Sequence, residues 1–179
     1  MDTYKLDFTQ LESEVFSLLC TRAGEKLSQR EIAKLLNVSP TAISKIVKNL
    51  IKKKLVKMEK TKTINFISFN RDEPRAIELK RAENLKMIYL SGLSDYLEEQ
   101  LAGATIILFG SYSRGEDTKA SDLDIAVIGR MDKMLNLETF KKLLNRPINT
   151  NFYGSWKLIH KHLKNNILNG IILHGGVEL

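Results

Sequence analysis

Ala104-Thr105-Ile106-Ile107-Leu108-Phe109-Gly110-Ser111-Tyr112-Ser113-Arg114-Gly115, followed after five intervening residues by Ser121-Asp122-Leu123-Asp124-Ile125-Ala126-Val127-Ile128, is the stretch that decides the fold of the second half of this chain. Ala104 to Phe109 is an unbroken apolar run of strand type, and Gly110 at its end lets the chain turn sharply and lets a ligand approach the backbone. Ser111 can cap the short helix expected next, Arg114 is close enough in sequence to clamp a phosphate held there, and Gly115 ends the turn. Asp122 to Ile128 reads as a second strand, whose period of two puts Asp122 and Asp124 on one face. Two like-charged carboxylates on one face repel unless a cation joins them, and oxygen ligands on a rigid strand suit magnesium.

Further along, Leu137, Phe140, Leu143 and Leu144 predict a helix, Ile148 to Phe152 a third strand, Trp156 to Leu168 another helix and Ile171 to Leu173 a short terminal strand. Trp156 reads as core, and His160, His162 and His174 have no partners spaced for a metal site. The Gly110-Ser111 pair, ten residues, then Asp122, one residue, and Asp124 resembles the signature of the nucleotidyltransferase superfamily, particularly its minimal prokaryotic members. The resemblance covers approximately residues 100 to 174 and implies a mixed sheet flanked by helices. It also implies Mg2+ and a nucleoside triphosphate as cofactors, with Gly110, Ser111, Arg114 and Gly115 at the phosphates and Asp122 and Asp124 as catalytic metal ligands. The family's third carboxylate belongs on the next strand, where Asn149 is the best positional match and Asn151 shares its face. Neither amide can act as a base, although Asn149 can still offer an oxygen to the metal. No carboxylate lies between Glu138 and Glu178.

The first part of the chain reads differently. Apolar residues from Leu11 to Leu19 predict a helix over about Thr9 to Thr21. Ser28 and Glu31 form a capping box for a second, with Ile32, Leu35 and Leu36 as its stripe. Asn37 and Val38 make a short turn before Ser39 and Pro40 open a third helix, lined inside by Ile43, Ile46, Val47, Leu50 and Ile51. Leu55 to Met58 and Thr63 to Phe69 predict a hairpin with its tip at Glu59 to Lys62. The segment Ser28-Gln29-Arg30-Glu31-Ile32-Ala33-Lys34-Leu35-Leu36-Asn37-Val38-Ser39 resembles the winged helix-turn-helix of prokaryotic transcription regulators, over about residues 9 to 70. The resemblance implies that the third helix enters a major groove of double-stranded DNA. Thr41, Ala42, Ser44, Lys45 and Lys48 lie away from its buried face and can meet bases or phosphates, with Lys60 and Lys62 on the flanking backbone.

Charge supports that division. Of the net +7, residues 1 to 72 hold 14 Lys and Arg against 8 Asp and Glu, and residues 73 to 179 hold 14 against 13. An electropositive first part beside a near-neutral second places a polyanion partner at the first. The overall expectation is an α/β chain: residues 1–72 a winged helix-turn-helix, 73–100 a helical connector, either one long helix or two with a bend at Gly92, and 101–179 a nucleotidyltransferase-like domain. Ile88, Leu93 and Leu97 on the connector form a candidate homodimer seam.

With 43% hydrophobic and 27% charged residues, the composition is that of a folded protein and excludes collagen-like or disordered classes. The one cysteine, Cys20, cannot form an internal disulfide. Met1 to Thr9 shows no leader pattern and no run spans a membrane, so the expected location is cytoplasmic, and the Asn37-Val38-Ser39 sequon carries no weight. The leading expectation is a DNA-binding transcription regulator whose nucleotidyltransferase-like domain senses a nucleotide ligand, contacts a protein partner or stabilises a dimer. The alternative is a magnesium-dependent nucleotidyltransferase modifying a protein, small molecule or nucleic acid. A third is a toxin-antitoxin or adaptor protein that acts by contact alone.

Overall fold

The computed structural model describes residues 8–177. Met1 to Asp7 of the stretch read for a leader, and Glu178, lie outside the described residues. The chain forms two compact units that divide between Ile77 and Glu78.

In the first unit, α1 (Gln10–Thr21) starts at Thr9, whose side chain accepts the Glu12 amide while the Glu12 carboxylate accepts the Thr9 amide. A two-residue strand, β1 (Leu27–Ser28), leads into α2 (Gln29–Leu35), opened by the expected Ser28 and Glu31 capping box. Asn37 takes a left-handed backbone, φ 53°, in the turn before α3 (Pro40–Lys52), which Ser39 caps and Pro40 begins. An asparagine reaches this conformation at low cost, so the turn closes without the usual glycine. The hairpin is β2 (Val56–Lys60) with β3 (Asn65–Phe69), and β1 adds to the free side of β3 to give the order β1-β3-β2.

The wing tip is therefore Thr61 to Ile64, two residues later than the sequence suggested. There the Thr61 side chain both accepts from the Ile64 amide and donates to the Ile64 carbonyl. On α2 the buried residues are Ile32 and Ala33, while Leu35 is exposed, because the helix turns its narrow Ala33 face inward.

The second unit has a four-stranded mixed sheet in the order β6-β5-β4-β7. Its strands are β4 (Thr105–Phe109), β5 (Leu123–Ile128), β6 (Ile148–Tyr153) and β7 (Ile171–His174). β4 runs antiparallel to both β5 and β7, and β5 runs parallel to β6. The helices are α4 (Pro74–Leu90), α5 (Leu93–Gln100), α6 (Gly110–Arg114), α7 (Glu138–Leu144) and α8 (Lys161–Leu168). Strand alternation builds two cores. Ile106, Leu108, Leu123, Ile125 and Val127 pack with residues of α4, α5 and α7 on one face. Ile107, Phe109, Ala126 and Ile128 pack with Trp156, Ile159 and Ile167 on the other.

Two expectations change here. Ile88, Leu93 and Leu97 are fully buried in the first of these cores, so these three residues are covered within the chain and do not form a dimer seam. The segment after the third strand is a single 3-10 turn, Trp156–Leu158, followed by α8, so His160 sits at the start of the helix instead of within it.

Candidate functional site

The candidate site of the second unit is built where three strands meet. β4 ends at Phe109, which is the register partner of Asp124, and Asp124 in turn pairs with Asn149 on the parallel neighbour. Asp122 precedes β5 by one residue and shares a face with Asp124. The Asn149 side-chain nitrogen donates to both, at 3.1 Å to Asp122 Oδ2 and 3.3 Å to Asp124 Oδ1. The two amide hydrogens thus take over the task of holding two like charges together, which a cation or a shared proton performs elsewhere. Asn151 pairs with Ala126, two positions further along the strands, and makes no such bond.

Gly110 has φ +77°, and a Cβ there would lie 2.7 Å from Asp124 Oδ2. Backbone conformation and close approach to the carboxylate both demand glycine. α6 then begins at Gly110 itself with Phe109 before it, so Ser111 does not cap this helix: it stands inside the first turn. Its hydroxyl has no hydrogen-bond partner among the described residues and is half-buried. Gly115 closes α6 in a left-handed conformation, the turn-ending role read from the sequence. The Arg114 guanidinium donates to Glu116 and, at 3.0 Å, to Asn166 of α8, so its placement is set by these two side chains.

Magnesium is commonly bound by one or two carboxylates completed by water and substrate phosphates. Asp122 and Asp124 are the two carboxylates that would hold one such ion, and Asp124 Oδ2 lies against Gly110 where a Cβ would stand. Among the described residues no three His, Cys, Asp or Glu side chains gather in an arrangement that could hold a metal ion. His174 is engaged by Ser94 at 2.7 Å and Glu98 at 3.2 Å, and Trp156 is 8% exposed within the core.

The first unit presents a second candidate surface. On α3, Ile43, Ile46, Val47 and Leu50 are buried, whereas Thr41, Lys45 and Lys48 are exposed and Ala42 and Ser44 half-buried. Lys60 ends β2 and Lys62 lies in the wing tip, both exposed. Glu12, only 4% exposed, accepts from Asn49 of α3 at 3.1 Å and so fixes α1 against the helix that carries these lysines. The backbone amide of Thr9 holds the Glu12 carboxyl below its usual range, ahead of an opposing effect of burial.

Sequence reading does not single out a buried polar cluster behind the aspartates. Lys80 and Asn84 of α4, Asp117 and Arg146 are all 5% exposed or less. The available signal was the position of Lys80 and Asn84, four residues apart within the stripe that also carries Ala76 and Ile88, where apolar residues are expected.

A family model for the nucleotidyltransferase domain matches residues 90–174, and a model for the MarR family matches residues 6–63. The chain thus carries a MarR-like winged helix-turn-helix ahead of a nucleotidyltransferase-like domain, in an α/β architecture. Among solved structures, a variant of ZitR from Lactococcus lactis is 16% identical over 56% of this chain and 66% of its own, with a TM-score of 0.41. The adhesin competence repressor AdcR of Streptococcus pyogenes is 17% identical over 55% of this chain and 71% of its own, with a TM-score of 0.41. MepR, a transcription regulator of the Staphylococcus aureus multidrug efflux pump MepA, is 22% identical over 54% and 68%, with a TM-score of 0.40. The chain spans just under two thirds of the length of ZitR. No curated protein matches the chain. Among the described residues no helix is long and apolar enough to cross a membrane.

Proposed function

We propose that this protein is a DNA-binding transcription regulator whose nucleotidyltransferase-like unit binds a magnesium-complexed nucleoside triphosphate as a signal. What carries the reading is the two-faced α3, with its buried Ile43, Ile46, Val47 and Leu50 set against exposed Thr41, Lys45 and Lys48. Such a helix offers short polar and apolar groups, Thr41, Ala42 and Ser44, to base edges, and lysines to phosphates. Lys60 and Lys62 extend the cationic track along the wing. In this reading the protein acts as a homodimer on an approximately palindromic site, since two half-sites are read by two copies.

The part assigned to the second unit follows from Asn149. Asp122 and Asp124 would hold the metal, and the unpartnered Ser111 hydroxyl is available to a phosphate oxygen. Bound magnesium would supply charge neutralisation on the triphosphate. Asn149 has no basic atom to accept a hydroxyl proton, so the site as built favours binding over turnover. The second reading, a nucleotidyltransferase acting on a protein, small molecule or nucleic acid, is favoured by one observation: Gly110 lies directly against Asp124, so the glycine turn and the acid pair of the family signature come together.

Fluorescence anisotropy with duplex DNA over a salt series tests the regulator. Affinity is expected to fall steeply with salt, and the double change Lys45→Ala with Lys48→Ala to reduce the log–log slope by about two. No duplex affinity at low salt refutes it. Sedimentation that gives a monomer at tens of micromolar removes the homodimer. Labelled nucleotide transferred by the wild type and lost in Asp124→Ala establishes the enzyme instead of the sensor.

A further inference from the structure

We infer that Lys80, Asp117 and Arg146, with Asn84, are positioning residues that hold the two halves of the candidate nucleotide site in place. The inference rests on the reading of Gly110, Ser111, Asp122 and Asp124 as that site. Asp117 lies in the loop between α6 and β5 and is 1% exposed. Its Oδ1 accepts from Lys80 Nζ, the two side chains having no solvent exposure, and from Asn84 Nδ2 at 2.7 Å. Its Oδ2 lies 2.8 Å from Arg146 Nη2.

From this centre the bonds run outward in two directions. Asn84 Nδ2 also donates to the Tyr112 carbonyl at 2.8 Å, and the Tyr112 hydroxyl donates to the Asn84 carbonyl. Tyr112 adjoins Ser111, so α4 fixes the start of α6. In the other direction, Arg146 Nη1 donates to the carbonyls of Thr118 and Ser121, and its guanidinium lies over the Tyr112 ring at 5.1 Å. Thr118 and Ser121 bond each other through the Ser121 hydroxyl and amide, and the Leu123 amide donates to the Pro147 carbonyl at 3.0 Å. Ser121 and Leu123 flank Asp122. The loop that delivers the acid pair is therefore pinned by a planar, five-donor cation from the residue before Pro147.

Burying three ionised groups is a poor route to stability, because desolvation offsets most of their attraction and apolar side chains of equal volume do as well or better. What the polar groups add is direction: Asn84 reaches the Tyr112 carbonyl beside Ser111 and Arg146 the Ser121 carbonyl beside Asp122, while Asp117 and Lys80 anchor those two donors. A core of leucines would leave the Thr118 and Ser121 carbonyls without the Arg146 donor and the loop free to shift.

The test uses the full chain and two variants. Arg146→Lys keeps a positive charge but loses the fork that reaches Asp117 with one nitrogen and the Thr118 and Ser121 carbonyls with the other. Lys80→Met removes one cation at similar volume and leaves Arg146 in place. Amide hydrogen exchange is followed by residue, and Mn2+ binding is measured by electron paramagnetic resonance with and without ATP. In Arg146→Lys, exchange across residues 118–124 is expected to quicken at least tenfold. The amides of Ile107 and Ala126 at the centre of the sheet stay as in the wild type, and the Mn2+ dissociation constant rises at least tenfold. Lys80→Met is expected to change the same segments in the same direction. Wild-type exchange across 118–124, an equal rise throughout the second unit, unchanged Mn2+ affinity, or loss of folding in both variants overturns the positioning role in favour of a purely structural one. A wild type that binds no Mn2+ refutes the nucleotide-site reading separately, and the exchange pattern then decides the brace alone.

Discussion

Replacing Gly110 by alanine separates what this position owes to its backbone from what it owes to Asp124. At φ +77° an L side chain costs about 1–2 kcal/mol, whatever the surroundings. A second glycine, Gly92, has φ +74° and nothing within 4 Å of an added Cβ, so Gly92→Ala carries the same conformational penalty and no contact. Gly110→Ala carries in addition a methyl group 2.7 Å from Asp124 Oδ2, which must swing away. Moving it breaks the 3.3 Å bond from Asn149, for a further loss of up to about 1 kcal/mol at this partly exposed place. At about 4–8 °C per kcal/mol for a unit of this size, Gly92→Ala should lower the melting temperature by roughly 4–16 °C and Gly110→Ala by up to roughly 8 °C more.

The Mn2+ dissociation constant should be unchanged in Gly92→Ala and raised about tenfold in Gly110→Ala, equivalent to about 1.4 kcal/mol. Circular dichroism melts and Mn2+ titrations read both quantities. Equal behaviour of the two variants in both assays would refute the claim that the glycine serves the carboxylate.

Three other outcomes follow from the same structure. Because the Glu12 carboxyl is held below its ordinary value of 4.5, the charge on it stabilises the fold above that value, and the contribution disappears as pH falls through the lower folded value. Glu12→Gln should therefore cost about 1 kcal/mol at neutral pH and nothing in strong acid, a difference checked by denaturant melts at several pH values. Asn149→Asp places three carboxylates together. Its melting temperature should fall below that of the wild type in EDTA and rise above it in excess magnesium, and a fall in both buffers would contradict the metal reading. Leu93→Asp should unfold the second unit, at a cost of roughly 4 kcal/mol or more, because the side chain is fully buried. Sedimentation of a folded variant with an altered oligomeric state would contradict that placement.

Local signals were read from the sequence where one short segment determines the outcome. Ser28 with Glu31, Ser39 with Pro40 and Asn37 in the turn each act within a few residues of themselves, and the structure uses them so, while at Gly92 it decides for two helices over one. The Asp122 and Asp124 alternation likewise needs only the strand period to bring both to Asn149. Long-range closure was not legible in the same way. β1 has two residues and exists only because β3 offers an edge, and the wing tip is set by the pairing of Lys60 with Asn65. The helical stripe of α4 and α5 could be read as apolar, but a stripe does not say whether the same chain or another covers it. Asp117 and Arg146 carry no periodic mark at all, since their meeting depends on the assembled sheet.

Asn149 has consequences on the timescale of lineages. It sits exposed on β6, an edge strand, and among the described residues its side chain bonds only to Asp122 and Asp124. Asparagine and aspartate codons differ at a single base. A descendant of this chain can therefore exchange the amide for an acid by one point mutation without repacking either core, and a later mutation can reverse it. On the proposed function, whether the second unit would read nucleotides or consume them is thus open to selection independently of the scaffold, and α3 of the first unit is left untouched by the change.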